Sequence, residues 1–300
     1  MKKFLIYFVS LLMATVVLLF INDRLNIHLI FSSSNSNPYK MYRLFIDHPK
    51  GEIPIIGSSR AEAGFAPKDL SPLAFNYGLS GSSFRETAFH LKEILSRDDC
   101  KLVIVNLDPW GLRNGIFRGN YRFAAASPLV KAEPKIHIAL MDKIPGIRFQ
   151  GEMRGNVAQC MNNRLAATKT MEAGAILQRL SRNDEEWQYI ISKIESPGFG
   201  VDDETRTMIE EVLKNNINKE IVFVVSPIAQ PWWNAFSGKD KLRSFEKWLK
   251  TFEHVTVLDH DDISAGYELN EFMDLTHLNE SGARRFTQTL RTRLEKIGLL

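Results

Sequence analysis

Five short apolar runs, each ending in a small or polar residue, limit what this chain can fold into more than any other feature. They are Ile53-Pro54-Ile55-Ile56 before Gly57-Ser58-Ser59-Arg60, Leu73-Ala74-Phe75-Asn76-Tyr77 before Gly78-Leu79-Ser80-Gly81-Ser82-Ser83, Leu102-Val103-Ile104-Val105-Asn106-Leu107 before Asp108-Pro109-Trp110-Gly111, Ile221-Val222-Phe223-Val224-Val225 before Ser226-Pro227, and Val255-Thr256-Val257-Leu258 before Asp259. Runs that are apolar almost throughout suit strands covered on both faces, as in parallel sheets. Pro54 stands near the start of its run, where a missing donor is tolerated. Amphipathic helical patterns intervene at Phe84 to Ser96, Glu204 to Asn215 and Asp240 to Phe252. The alternation predicts an α/β fold, a three-layer α/β/α sandwich around a central parallel sheet of about five strands. Ligands of such sheets bind beyond the carboxyl ends of the strands, and that is where Ser58, Ser59, the Gly78 to Ser83 loop and Asp108-Pro109-Trp110 fall.

The rest of the composition sets bounds. With 300 residues and 44% hydrophobic content the chain can bury one large α/β core or two small ones. Charged residues at 24% and 19 Phe exclude a disordered chain. A net charge of +3 does not point to nucleic acid. Cys100 and Cys160 lie apart with no His/Cys cluster beside either, which argues against structural zinc and leaves a disulfide between them open.

Met1-Lys2-Lys3 precedes Phe4 to Ile21, eighteen residues without a charge. As a helix this run spans about 27 Å, against about 30 Å for a bilayer core. A cleaved signal peptide has a shorter apolar core of about 7 to 15 residues and a small-x-small cleavage site, whereas here Asn22-Asp23-Arg24-Leu25 follows. The expectation is an uncleaved transmembrane signal anchor over residues 1–22, the lysines on the cytoplasmic side and everything after residue 22 outside. In a bacterium that means a single-pass protein of the inner membrane with its domain facing the periplasm. Residues 23–50 read as linker and lead-in, with the polar Ser32 to Pro38 segment tethering rather than packing. Residues 51–300 then form the soluble domain.

Near the end stands Met273-Asp274-Leu275-Thr276-His277-Leu278-Asn279-Glu280-Ser281-Gly282. A helix starting at Asn279 to Gly282 leaves Asp274 and His277 in the turn before it, three apart and able to face the same way. A carboxylate beside an imidazole is what a general base needs: it fixes the tautomer and steadies the imidazolium while the other nitrogen takes a proton from a hydroxyl. Two polar residues at that spacing also make an ordinary solvated turn. Ser58 and Ser59 are open to two readings as well, a nucleophile or a pair of helix-capping hydroxyls.

Gly57-Ser58-Ser59, then Asn76-Tyr77-Gly78-Leu79-Ser80-Gly81, then Asp274-Leu275-Thr276-His277 resembles the ordered blocks of the SGNH (GDSL-like) hydrolase superfamily: Gly-Asp-Ser, Asn-x-Gly-x-x-Gly and Asp-x-x-His. The Gly-Ser-Ser variant behind an N-terminal anchor is most similar to the DltD-type and alginate-acetylation-type branches. The resemblance covers residues 53 to 107 and 220 to 296 and implies a flavodoxin-like sandwich. It also implies that Ser59 is the nucleophile, His277 the base, Asp274 its orienting carboxylate, and the amides of Ser59 and Gly81 the oxyanion donors. A glycine lets the main chain approach a substrate closely. One departure is plain: where the superfamily carries Gly-x-Asn-Asp after its third strand, this chain has Leu107-Asp108-Pro109-Trp110 and no Asn at the matching position. Losing one oxyanion donor costs about 10² to 10³ in rate. Asn106 and Asn114 stand nearby without support from spacing, Asp108 reads as a cap for the following segment, and Trp110 as a packing residue or a sugar platform.

Residues 115 to about 200 break the alternation and read as an insertion. From Arg118 to Lys169 it holds nine Lys or Arg (Arg118, Arg122, Lys131, Lys135, Lys143, Arg148, Arg154, Arg164, Lys169) against three acids (Glu133, Asp142, Glu152). That excess suits anionic headgroups or an anionic glycan, or is an ordinary solvated surface. The apolar pieces Ile136 to Met141 and Ile144 to Phe149 suggest a cap over the strand ends. Gln230-Pro231-Trp232-Trp233-Asn234 either lines the same cleft or packs inside. The resemblance thus implies a membrane-anchored extracytoplasmic serine esterase or O-acyltransferase acting on acyl esters of an envelope polysaccharide, with an integral-membrane acyltransferase as partner. This chemistry calls for no cofactor and no metal. The alternative is a catalytically silent, membrane-tethered binding or assembly module, favoured by the missing Asn and opposed by Asp274 and His277.

Overall fold

The computed structural model describes residues 1–31, 35–109, 117–119, 121, 124, 127–134, 136, 169–194, 199–263 and 266–300. In chain order the elements that matter are α1 (Lys2–Phe31), α2 (Asn37–Phe45), β1 (Ile53–Ile56), α3 (Ser59–Gly64), β2 (Ala74–Asn76), α4 (Phe84–Leu95), β3 (Leu102–Asn106), β4 (Lys169–Glu172), β5 (Ala175–Gln178), α5 (Asp203–Lys214), β6 (Glu220–Val224), α6 (Gln230–Ala235), α7 (Lys239–Leu249), β7 (Val255–Leu258) and α8 (Glu280–Lys296). All five predicted strands form within a residue or two of their apolar runs. They pair parallel in the order β2-β1-β3-β6-β7.

This order places the helices. From β1 the chain steps outward to β2, then returns past β1 to β3 and continues through β6 to β7. Right-handed crossovers put α3 on one face and α4, α5 and α7 on the other. Packing follows suit: Phe65, just after α3, meets Phe286 of α8 edge to face at 5.0 Å, and Phe84 of α4 meets Phe245 of α7 at 5.9 Å. Covered on both sides, Val103, Ile104, Val222 and Phe223 are fully buried. The adjacent strands β1 and β3 send their connections to opposite faces, so a crevice opens between their carboxyl ends, the usual ligand site of such sheets.

α1 is 30 residues long, about 45 Å. It is long and apolar enough to cross a membrane, and Phe4, Leu11, Leu18 and Phe20 stand exposed along it. The helix continues beyond the uncharged run to Phe31, and Asp23 and Asn26 are buried at its far end.

The lead-in packs rather than merely tethers. Ser36 caps α2 by accepting from the Tyr39 N–H, Pro38 sits in the first turn where no donor is missed, and Met41 and Leu44 are completely buried. Asn35, Ser36 and Pro38 are buried as well, while Ser32–Ser34 lie outside the described residues. Lys40, fully buried, donates to Glu62 Oε1 of α3 at 2.8 Å and to the Gly78 carbonyl at 2.6 Å. α2 is therefore stitched to α3 after β1 and to the loop after β2.

Of the insertion, the described part includes a hairpin of β4 and β5 that folds back onto α3 and α8. The Asn76 N–H donates to the Ala173 carbonyl at the hairpin turn, and Thr170 and Arg179 donate to Glu280 at the start of α8. Met141 and the Ile144 to Phe149 piece lie outside the described residues, as do Arg122, Lys135, Lys143, Arg148, Arg154, Arg164 and Cys160. Cys100 is a buried free thiol whose pKa burial pushes up to about 11.

Candidate active site

At the carboxyl end of β1 the chain must turn sharply into α3. Gly57 makes the turn at φ 149°, where a Cβ would stand 2.8 Å from the Ala61 Cβ and 3.0 Å from the Asn106 Cβ. Ser58 caps α3, its Oγ accepting from the Arg60 N–H at 3.4 Å. Ser59 is the first helical residue and is half-buried.

The opposite wall is the turn before α8. Asn279 caps that helix by accepting from the Gly282 N–H at 3.1 Å, and the Met273 N–H donates to the His277 carbonyl at 2.9 Å. Inside the turn, Asp274 Oδ1 accepts from the Thr276 N–H (2.8 Å), the Thr276 hydroxyl (2.8 Å) and the His277 N–H (2.9 Å). Its Oδ2 lies 2.9 Å from His277 Nδ1. Burial raises the Asp274 carboxyl, but the hydrogen bonds from His277 and Thr276 and the attraction of the imidazole outweigh it and hold the group down to about 2. An ionised Asp274 can only accept, so Nδ1 donates to it and Nε2 is the ring nitrogen turned toward Ser59. Nε2 faces Ser59 Oγ at 2.8 Å.

The fold thus joins two residues 218 positions apart into a row of hydroxyl, imidazole and carboxylate. Such a row can draw the proton from the hydroxyl as it attacks an acyl carbon. The amides of Ser59 and Gly81 have no hydrogen-bond acceptor among the described residues. Gly81 is exposed and holds φ 77°, a left-handed conformation that a side chain would strain. Gly78, by contrast, spends its N–H on Asn76 Oδ1 at 2.8 Å.

The segment that Asp108 is expected to cap lies outside the described residues beyond Pro109. Asp108 itself lies buried in the crevice, where Oδ2 accepts from the Ser58 hydroxyl and Oδ1 from Asn106 Nδ2 (2.8 Å) and Arg60 Nη1 (3.1 Å). Asn106 also accepts from the Ser226 N–H at 3.3 Å. Its amide is thus built into the network behind the serines. Asn114 and Trp110 lie outside the described residues. Trp232 and Trp233 are buried, Trp233 stacking on His260 at 3.9 Å and Trp232 on Phe236 at 5.2 Å. Of their two readings, the packing one holds.

Sequence reasoning missed Arg60. Nearly solvent-free at 1% exposure, it directs Nε to the Thr276 carbonyl (3.0 Å), Nη1 to the Leu107 carbonyl (3.4 Å) and Asp108, and Nη2 to the Ser226 carbonyl and the Pro227 carbonyl (3.2 Å). Those bonds use all five donors of a guanidinium. They tie the ends of β1, β3 and β6 to the turn that carries His277. Burial lowers its pKa while Asp108 opposes that. The signal was an arginine directly after two serines at a strand end, a position where a cation must either reach solvent or find buried acceptors.

No protein family matches the chain, and no curated protein matches it. Among solved structures the chain is similar to a protein provisionally named as a platelet activating factor from Streptococcus pneumonia, at 12% identity and TM-score 0.44, covering 91% of this chain and 98% of that one. It is also similar to one provisionally named as an arylesterase from Agrobacterium tumefaciens str. C58, at 12% identity and TM-score 0.34, covering 82% of this chain and 99% of that one.

Proposed function

We propose that the chain is a membrane-anchored serine esterase or O-acyltransferase of the SGNH type. One observation carries the reading: Ser59 Oγ lies 2.8 Å from a His277 nitrogen whose partner nitrogen is held by an ionised Asp274 at 2.9 Å. In this reading Ser59 attacks the acyl carbonyl while His277 Nε2 takes its proton, and the Ser59 and Gly81 amides hold the oxyanion. Collapse breaks the ester bond, the alkoxide leaves with the proton from His277, and the acyl group stays on Ser59. A water or a sugar hydroxyl, deprotonated by His277, then takes the acyl group and frees the serine. α1 would hold the domain at the membrane with its lysine end in the cytoplasm, which sets the domain on the outer side and suits acyl esters of envelope glycopolymers.

The test is labelling of the full chain in detergent with a fluorophosphonate, which phosphonylates an activated serine. The parent and Ser58→Ala take the label, while Ser59→Ala and His277→Ala do not. Equal labelling of Ser59→Ala and the parent overturns the assignment.

A further inference from the structure

One cation stands beside the Gly81 loop with no ion-pair partner in hydrogen-bond contact among the described residues, although the Glu86 carboxylate bound to its own main chain attracts it from further off. Arg118 is exposed, and its guanidinium has no hydrogen-bond acceptor among the described residues. It lies across Gly81: a Cβ on that glycine would meet Arg118 Nε at 3.4 Å, Cγ at 3.9 Å and Cζ at 4.0 Å. The loop beneath is fixed to the nucleophile turn, because the Gly57 carbonyl accepts from the Leu79 N–H at 3.0 Å and from the Ser82 hydroxyl at 3.4 Å.

An exposed arginine is ordinarily a mobile side chain on a mobile stem, worth little to a ligand. This stem is held at both ends. The Arg118 N–H donates to both carboxylate oxygens of Glu86, at 2.9 and 2.8 Å, and the Gly119 N–H adds a third bond to Oε1 at 2.7 Å. Glu86 is itself fully buried on α4 and accepts from the Tyr121 hydroxyl at 2.6 Å. From the other side Asn37 of α2 donates to the Arg118 carbonyl at 2.6 Å. The nearest carboxylate is therefore occupied by main-chain donors and a phenol, while the guanidinium is left for solvent or a ligand. A cation on a preorganised main chain loses less freedom on binding than one on a free loop.

We propose that Arg118 is a specificity-determining residue of the Ser59 site, selecting esters that carry a carboxylate or phosphate a few bonds from the scissile carbonyl. The inference rests on the esterase reading above for the position of that carbonyl against Gly81. A planar fork of donors suits both anions, which it can engage in two parallel bonds. The negative group sits on either the acyl or the alcohol side of the ester.

The experiment uses the full chain in detergent and two matched substrate pairs. 4-Acetoxybenzoate and its methyl ester place or remove charge on the alcohol side, and 4-nitrophenyl hemisuccinate and its methyl ester do so on the acyl side. In at least one pair, Arg118→Ala lowers kcat/KM for the charged member about tenfold more than for the neutral one, Arg118→Lys recovers part of the loss, and added salt shrinks the preference. The pair that responds locates the charge. An unchanged charged-to-neutral ratio in both pairs overturns the proposal. Binding of the uncleavable amides 4-acetamidobenzoate and N-phenylsuccinamate, each against its methyl ester, is measured in parallel by calorimetry. An Arg118-dependent preference for a charged amide without any Ser59-dependent hydrolysis upholds this site and rejects the esterase reading. Equal binding of charged and neutral amides together with intact hydrolysis does the reverse.

Discussion

Ser58 and Ser59 are adjacent, the cap and the first residue of one short helix, and both hydroxyls lie within hydrogen-bond reach of an acid–base group, yet their surroundings differ in two respects. The Ser59 hydroxyl is half-buried and meets an imidazole nitrogen. The Ser58 hydroxyl is buried and meets Asp108, a carboxylate shared with Arg60 and Asn106. Among the described residues the Ser58 hydroxyl therefore faces a carboxylate held in a buried ion pair, with no imidazole beside it. What separates the two serines is the acceptor each hydroxyl meets and its access, not the hydroxyl itself.

Breaking the first environment has the largest expected effect. Asp274→Asn leaves His277 without a carboxylate to fix its tautomer, and the rate of ester cleavage or fluorophosphonate labelling falls by about 10⁴. A fall of less than tenfold would mean that the Thr276 contacts alone orient the ring.

Breaking the second environment costs stability before it costs rate. Arg60→Met strands the buried Asp108 carboxylate and four carbonyls, and urea unfolding of the full chain in detergent loses about 3–5 kcal/mol. Adding Asp108→Asn to that variant restores part of the loss. An Arg60→Met protein as stable as the parent would show the guanidinium to be dispensable.

Ser58→Ala sharpens the contrast. It removes a cap and one bond to Asp108, costing about 0.5–2 kcal/mol in the same unfolding measurement, while the labelling rate of Ser59 changes by less than about tenfold. A larger loss of labelling would put Ser58 in the chemistry.

The smallest effect is a pH dependence. Asp274 is held from 3.8 down to about 2 in the folded protein, so its contribution to stability is present above about pH 3.8 and lost as pH falls through about 2. The melting difference between parent and Asp274→Asn therefore narrows over that window. A difference that does not narrow would remove Asp274 as a stabilising group.

The two environments also differ in how far they could be read in advance. Asp274, Thr276 and His277 sit in one turn, so their three-residue spacing carried the carboxylate–imidazole pair, and the cap at Asn279 marked where α8 begins. Ser59 was legible because β1 is apolar up to Gly57 and stops there. The Arg60–Asp108 cluster was not legible, because its partners come from four separate strand ends and loops. Nothing local distinguishes an arginine that reaches solvent from one that fills a crevice. The same limit hid the burial of Lys40 and the packing of α2, whose polar approach from Ser32 to Pro38 looked like a plain tether.

Local periodicity determined the elements of this protein: which segments are strands, where each stops, and that a long apolar helix leads the chain. Those follow from burial, which acts residue by residue along the backbone. Strand order decided the rest. By placing β3 beside β1, and β6 beside β3, it chose which of the polar stops share a crevice, and so gave one serine an imidazole 218 positions away and its neighbour a carboxylate. Contacts between distant segments depend on the packing of whole layers, and no spacing in the chain records that.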